Sequence, residues 1–248
     1  MPDIPAAVHT LDRDLREVFG GRVQTLAVYG VHTHESERGA AGHGHGHGQP
    51  SLVHTLAVVD SVGSEDLRAC ASRLESWHDA GLATPLVLAA DEFARSLDAF
   101  PFEFSAILAD HAIVSGRNPF ESLRVETADL RRACEVQARG HLLHLRQGYI
   151  ETRGRGDALA VLIVRSAPAW ASLLQNVARL QGLATHDRAA AARHVERALN
   201  VTSGVEHIVS LVGVKEISTA DALRLFPAYL DAAERLTKHV DQWREAER

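Results

Sequence analysis

The chain has little cysteine, few aromatic residues and no surplus of basic charge, and each shortage closes a line of explanation. Its two cysteines, Cys70 and Cys134, are too few and too far apart for a disulfide framework or a Cys-x-x-Cys metal site, so both are expected as small buried hydrophobes. Lys and Arg number 26 against 32 Asp and Glu, a formal net charge of -6. A surface that tracks a polyanion needs the opposite balance, so nucleic acid is unsupported as a partner. Unbroken apolar runs are short. Ala158 to Val164 is typical of the longest and falls well below the roughly 20 residues that span a bilayer, so no membrane segment is expected. The opening Met1-Pro2-Asp3-Ile4-Pro5 has neither a basic nor an apolar leader, which reads as a cytoplasmic protein.

What the chain does have is a globular composition, 46% hydrophobic and 23% charged, over 248 residues. That length suits two cores. The first half alternates helix and strand signals. Thr10 is placed to cap a first helix that ends before Gly20-Gly21. Arg22 to Tyr29 and Leu52 to Val59 read as strands, the second apolar enough to be covered on both faces. Ser64 precedes an amphipathic run with Leu67, Cys70, Leu74 and Trp77 at helical spacing, stopping at Gly81. Pro85 to Ala89 reads as a short strand and Glu92 to Leu97 as a helical turn or two. Phe102, Phe104 and Ala106 alternate as in a strand over Phe102 to Leu108, and Ala112 to Val114 forms the last strand before the turn at Gly116-Arg117-Asn118-Pro119.

From Thr127 the period changes to that of helices. The expected helices are Ala128 to Glu151, Gly156 to Leu180, Asp187 to Leu199 and Ala220 to Glu247, with Pro168 and Pro227 kinking or splitting two of them. Val201 to Val214 stays open. The fold class is therefore α+β: a small mixed sheet with flanking helices over residues 1–124, then an all-helical bundle over residues 125–248. The last helix carries Leu223, Phe226, Leu230, Leu236 and Val240 on one stripe. Such a stripe offers more apolar face than a small bundle needs, so a homo-oligomer, a protein partner or packing on the first domain is expected through the C-terminal helices.

Several segments occur in a familiar order. A strand ends in Leu26-Ala27-Val28-Tyr29-Gly30. A loop follows, then the strand Ser51 to Asp60, a helix and Phe100-Pro101-Phe102-Glu103-Phe104. Further on come Ser115-Gly116-Arg117-Asn118-Pro119-Phe120 and the helices beginning at Arg139 and Ala228. In this order the chain resembles an uncharacterised bacterial group within the polymerase-β-like nucleotidyltransferase superfamily. The resemblance implies a Gly-Ser at the end of the first strand, where the backbone approaches nucleotide phosphates, and two acidic residues flanking one apolar position on the second strand. Those carboxylates hold the Mg²⁺ ions that align the triphosphate. Here the glycine is kept as Gly30, a vestigial nucleotide-binding position, but the serine is Val31 and the acidic pair falls on Leu52 and His54. Asp60 lies about 20 Å or more beyond Leu52 along the strand and cannot substitute. Glu35 and Glu37 sit in the intervening loop, where they would hold an ion less rigidly. No residue of this chain is therefore assigned as catalytic, and Mg²⁺ is not expected.

The loop itself, residues 32–50, is longer than the family pattern because of a His-Gly tract. It holds His32 and His34, then His43, His45 and His47, and leads to His54. Imidazole suits borderline ions such as Zn²⁺ or Ni²⁺, and alternate residues of an extended segment share a face about 7 Å apart, so these six histidines are the candidate metal ligands. A plain glycine-rich surface insertion is the competing reading. The Arg139/His144 and Arg188/His194 spacings suit a phosphate-cleaving pair as implied by helical ribonucleases, or solvated helix faces. Arg153-Gly154-Arg155-Gly156 reads as a connector that could touch phosphate, and Trp77, Trp170 and Trp243 as core or interface anchors. Three functions follow: a catalytically degenerate nucleotidyltransferase-like protein acting by binding, an active nucleotidyltransferase with unorthodox ligands and an unknown acceptor, or a His-loop metal-binding protein.

Overall fold

The computed structural model describes residues 4–30, 52–121, 123–183, 185, 187–200 and 205–244. The chain divides into two compact units, Met1–Glu126 and Thr127–Arg248. The first is built on a four-stranded mixed sheet of β1 (Val23–Tyr29), β2 (His54–Val59), β3 (Leu86–Ala89) and β4 (His111–Gly116) in the order β3-β2-β1-β4. β1 pairs antiparallel with β2 and β4, and β2 pairs parallel with β3.

Side chains alternate between the two faces of a strand, and here both faces are apolar. On one, Val23, Leu26, Val28, Ala57 and Val59 meet α1 (Ala6–Phe19) through Val8, Leu11, Leu15 and Phe19. The short helices α2 (Ser64–Ala71) and α3 (Leu74–Asp79) add Cys70 and Trp77 to that layer. On the other face Ala27, Leu56 and Val58 meet Phe93 of α4 (Ala90–Arg95), Phe104 and Ile107 of α5 (Pro101–Ala109), and Phe120. Two side-chain bonds tie the first layer down. The Trp77 Nε1 donates to Asp14 Oδ2 at 2.8 Å. Arg22 donates through both terminal nitrogens to Asp66, at 2.9 and 2.6 Å, while Asp66 also accepts the Gly63 N–H at the start of α2. The fork and the cap together hold the Asp66 carboxyl at about 2, well below the usual carboxylate range.

Three local expectations are corrected. The Phe102 to Leu108 segment is helix α5, not strand. Pro101 occupies its first turn, where a missing N–H costs nothing, and Pro101, Phe104, Ser105 and Ile107 are buried at helical spacing; the Phe102/Phe104/Ala106 alternation coincides with that period over so short a run. α1 begins at Ala6 after Pro5, so Thr10 is an interior residue and caps nothing. The run from Ser64 breaks at Ser72-Arg73 into α2 and α3, and Leu67 is exposed.

The second unit is all helical: α6 (Thr127–Thr152), α7 (Gly156–Leu180), α8 (Arg188–Leu199), α9 (Val205–Ser210) and α10 (Thr219–Gln242). The open stretch after Val201 thus contains α9. Neither Pro168 nor Pro227 splits its helix. α7 is central and packs against α6, α8, α9 and α10, burying Leu159, Ile163, Trp170, Leu173, Leu174 and Val177. By length and composition α7 is apolar enough to cross a bilayer, which counting unbroken apolar runs did not anticipate. Its position is that of a core helix. The α10 stripe is likewise turned inward: Phe226, Leu236 and Val240 are buried, and among its large apolar residues it is Leu223 that stays exposed. The apolar face expected to meet a partner is therefore covered by α6 and α7 within the unit. Cys70 and Cys134 are free and buried, and burial pushes the Cys134 thiol up to about 12.

Inside this bundle lies a buried polar chain. His141 Nε2 is 2.7 Å from the Tyr229 hydroxyl, which donates to Ser166 Oγ at 3.1 Å, and Ser166 donates to the Ile163 carbonyl at 2.9 Å. Because Tyr229 and Ser166 each spend their one proton down the chain, the His141 proton that completes it sits on Nε2. The ring stacks on Trp170 with centroids 5.2 Å apart.

Two outcomes are expected. Burial lowers the His141 pKa to about 4, whereas an unfolded His takes up its proton near 6.5; stability is then full above about 6.5 and falls by about 3 kcal/mol as pH drops towards about 4. Urea unfolding at pH 7.5 and pH 4.5 should show a smaller difference for His141→Phe than for wild type, and equal differences would remove this residue from the account. Gly116 has φ 85°, and a Cβ there would meet the Gln24 carbonyl oxygen at 1.9 Å. Gly116→Ala should therefore lose about 2 kcal/mol or more in the same melts.

Candidate functional site

β1 ends at Tyr29, β2 begins at His54 and β4 begins at His111, and the register sets Tyr29 directly opposite both histidines. Directly opposed residues of antiparallel strands point to the same face. His54, Tyr29 and His111 consequently form a row across three strands, continuing the face that Ala27, Leu56 and Val58 give to the Phe93/Phe104/Phe120 layer. The Tyr29 and His54 rings have centroids 5.6 Å apart. His111 lies 4.2 Å from the Phe120 centroid, and its Nδ1 is 3.0 Å from the Ile107 carbonyl, so it donates there. Burial raises the Tyr29 hydroxyl above its ordinary value. His54 is exposed, and Leu52, two residues before it, is 39% exposed.

Gly30 closes β1 with φ 70°, in the left-handed region, and its N–H donates to the Asp110 carbonyl at 3.0 Å. Gly30 thus ends β1 in a conformation that favours glycine over any residue with a side chain. The expected ligands His32, His34, His43, His45 and His47, together with Val31, Glu35 and Glu37, lie outside the described residues. Asp60 is at the other end of β2, where it accepts from Gln24 Nε2 at 2.5 Å.

A hard cation such as Mg²⁺ takes oxygen ligands. The strand ends present leucine, imidazoles and one phenol, which do not fit it. Asp110, whose main chain contacts Gly30, is only 4% exposed and so closed to an ion arriving from solvent. Among the described residues, no three His, Cys, Asp or Glu side chains gather as a metal site. Asp110 and His111 were missed in the sequence. Reading α5 as a strand left them as a connection, although the polar pair closing an apolar helix and opening a strand was the available signal.

The other spacings do not converge. Arg139 and His144, five residues apart, project about 140° apart around α6, and Arg139 is paired with Glu135 and Asp241. Arg188 and His194 on α8 are about 120° apart by the same geometry. Arg153-Gly154-Arg155-Gly156 is the turn between α6 and α7, with Arg153 and Gly154 at φ 52° and 75°.

No protein-family profile and no curated protein matches the sequence. Among solved structures, the chain is similar to the spectinomycin adenyltransferase of Enterococcus faecialis, a structure determined with ATP and spectinomycin. The identity is 9% and the TM-score 0.53, over 93% of this chain and 98% of that one. The fold is thus nucleotidyltransferase-like through both units.

If the loss of carboxylates alone disables the strand end, restoring them should restore a cation site. Two residues apart on an extended segment, carboxylates at 52 and 54 would share one face about 7 Å apart. The variant Leu52→Asp/His54→Asp, altered at two exposed positions, should bind Mn²⁺ in calorimetry where the wild type shows weaker or no binding at the sheet end. No gain over wild type would mean that this end does not have the geometry of the superfamily's metal site.

Proposed function

We propose that this chain is a catalytically degenerate, cytoplasmic nucleotidyltransferase-like protein that acts by binding a nucleotide, a metal or a partner and not by transferring a nucleotide. The reading is supported by the start of β2, where the resemblance sets Leu52 and His54 at the positions of an acidic pair and both are exposed, near Gly30 with its left-handed backbone. Without two carboxylates, the divalent ions that neutralise a triphosphate have no anchor, and the transfer step loses its main electrostatic stabilisation. The fold can still present Gly30 and the ring row to a ligand. ATP, which the solved neighbour was crystallised with, is the first nucleotide to test.

An active nucleotidyltransferase remains the second reading, favoured by one observation. Asp110 stands beside Gly30, and Mg²⁺ can be held by one or two carboxylates together with substrate phosphates, provided the Asp110 carboxyl becomes exposed. A Zn²⁺ or Ni²⁺ site built from His32, His34, His43, His45 and His47, with His54 at its rim, is the third.

The readings separate in two experiments. Pure protein incubated with labelled nucleoside triphosphates, Mg²⁺ or Mn²⁺ and candidate acceptors should transfer no more label than a heat-killed control; transfer abolished by Asp110→Asn would establish the second reading instead. Zn²⁺ titration above pH 7 should show one stoichiometric site that weakens as pH falls through about 6.5, where imidazoles protonate. A variant with His43, His45 and His47 replaced by Ser should lose at least tenfold in affinity, and His54→Ala less. Equal binding by all three proteins would leave the tract a surface insertion.

A further inference from the structure

The helical unit holds a second place suited to a ligand, away from the sheet. A cavity of about 520 Å³ opens between the beginning of α6 and the end of α10, lined among others by Arg131 and Glu135 on one side and by Asp241, Trp243 and Arg244 on the other. α10 stops at Gln242, and Trp243 leaves the helix with φ -62° and ψ 135°. Its indole is therefore half-buried at the cavity, whereas Trp77 and Trp170 are buried in the cores. Of the two roles expected for Trp243, core or interface anchor, the core one does not hold.

The lining carries two arginines, Arg131 and Arg244, and two carboxylates, Glu135 and Asp241, and Arg139, outside the lining, engages both carboxylates. Glu135 accepts from Arg131 through Oε2 at 3.1 Å and from Arg139 through Oε1 at 3.1 Å, and Asp241 accepts from Arg139 at 2.7 Å. Two carboxylates are thus engaged by two of three arginines. The third, Arg244, donates through Nη1 to the carbonyls of Asp241 and Trp243, at 3.4 and 3.0 Å, and meets no carboxylate among the described residues. Arg131 is anchored in the same manner, its Nη1 also reaching the Val240 carbonyl at 3.4 Å. In both guanidinium groups one terminal nitrogen is fixed on the main chain at the end of α10. The Nε and Nη2 donors of each make no hydrogen bond among the described residues. Two pre-positioned forks of this kind suit the oxygens of a phosphate, and the adjoining indole supplies a face on which a planar ring can stack.

We propose that this cavity binds a phosphorylated heteroaromatic ring of nucleoside monophosphate size, with the phosphate held by Arg131 and Arg244 and the ring on Trp243. The volume lies within the usual range of small-molecule pockets, roughly 300–1,000 Å³. The site belongs wholly to the helical unit and is independent of the reading of the sheet end.

The test uses the full chain and the emission of Trp243, the tryptophan that is not in a core. Adenosine monophosphate should quench fluorescence saturably, and Trp243→Phe should abolish most of the change. By calorimetry, Arg244→Gln and Trp243→Leu should each weaken adenosine monophosphate tenfold or more. Adenosine and inorganic phosphate should each bind wild type at least tenfold more weakly than the whole ligand. Arg68→Gln, on an exposed helix face of the first unit, should bind it as wild type does. The proposal is overturned if no saturable quench is seen at millimolar ligand. It is equally overturned if Arg244→Gln and Trp243→Leu bind unchanged, if Arg68→Gln loses binding as much as they do, or if inorganic phosphate alone binds as tightly.

Discussion

The first unit depends on the pairing of β1 with a strand on each side while both of its faces are covered. A strand so enclosed has no solvent-facing row to slip onto, because a shift of one residue would exchange the side chains given to the α1 layer with those given to the aromatic layer. Fixed register is what sets Tyr29 opposite His54 and His111. The row at the strand ends is therefore a consequence of core packing and not of any attraction among the three rings. The Gly116 approach to Gln24 belongs to the same constraint, since β4 can reach β1 at that end only without a side chain.

Chemically, the described sheet end offers imidazoles and a phenol where a hard cation would need carboxylates. Imidazole and phenol are softer and more nearly neutral groups than a pair of carboxylates, and they lie against an apolar aromatic layer. Such a surface favours planar or borderline-metal ligands over hydrated Mg²⁺. Gly30 closes the same end of β1 in the left-handed backbone region, where a side chain would be strained.

Much of the architecture was legible because the chain's periodicities are clean. The long helices of the second unit and the strands β1 and β2 stand close to their expected bounds, since repeated apolar spacing over many residues leaves little room for another period. Short elements were another matter. Five residues of Phe102-Glu103-Phe104-Ser105-Ala106 satisfy a strand and a helix equally, and burial by both the sheet and Phe93 decided between them. The site was half legible. Tyr29 could be set at a strand end and His54 within a strand, but His111 could not be found, because its place beside Tyr29 comes from β4 folding back beside β1, a pairing that no local pattern announces. The inward turn of the α10 stripe was illegible for the same reason: apolar area is visible in sequence, while the helix that will cover it is not.

The central place of α7 has a consequence for how the protein is made. Its apolar surface is finished only when α10 arrives, after every other described helix of the unit has emerged. Throughout synthesis of the intervening helices the cell holds a nascent chain displaying a segment long and apolar enough to be taken for a membrane span. The second unit accordingly completes its core only once α10 has emerged, with α7 covered in the meantime by α6, by α8 and α9 as they appear, or by a chaperone that recognises apolar helices.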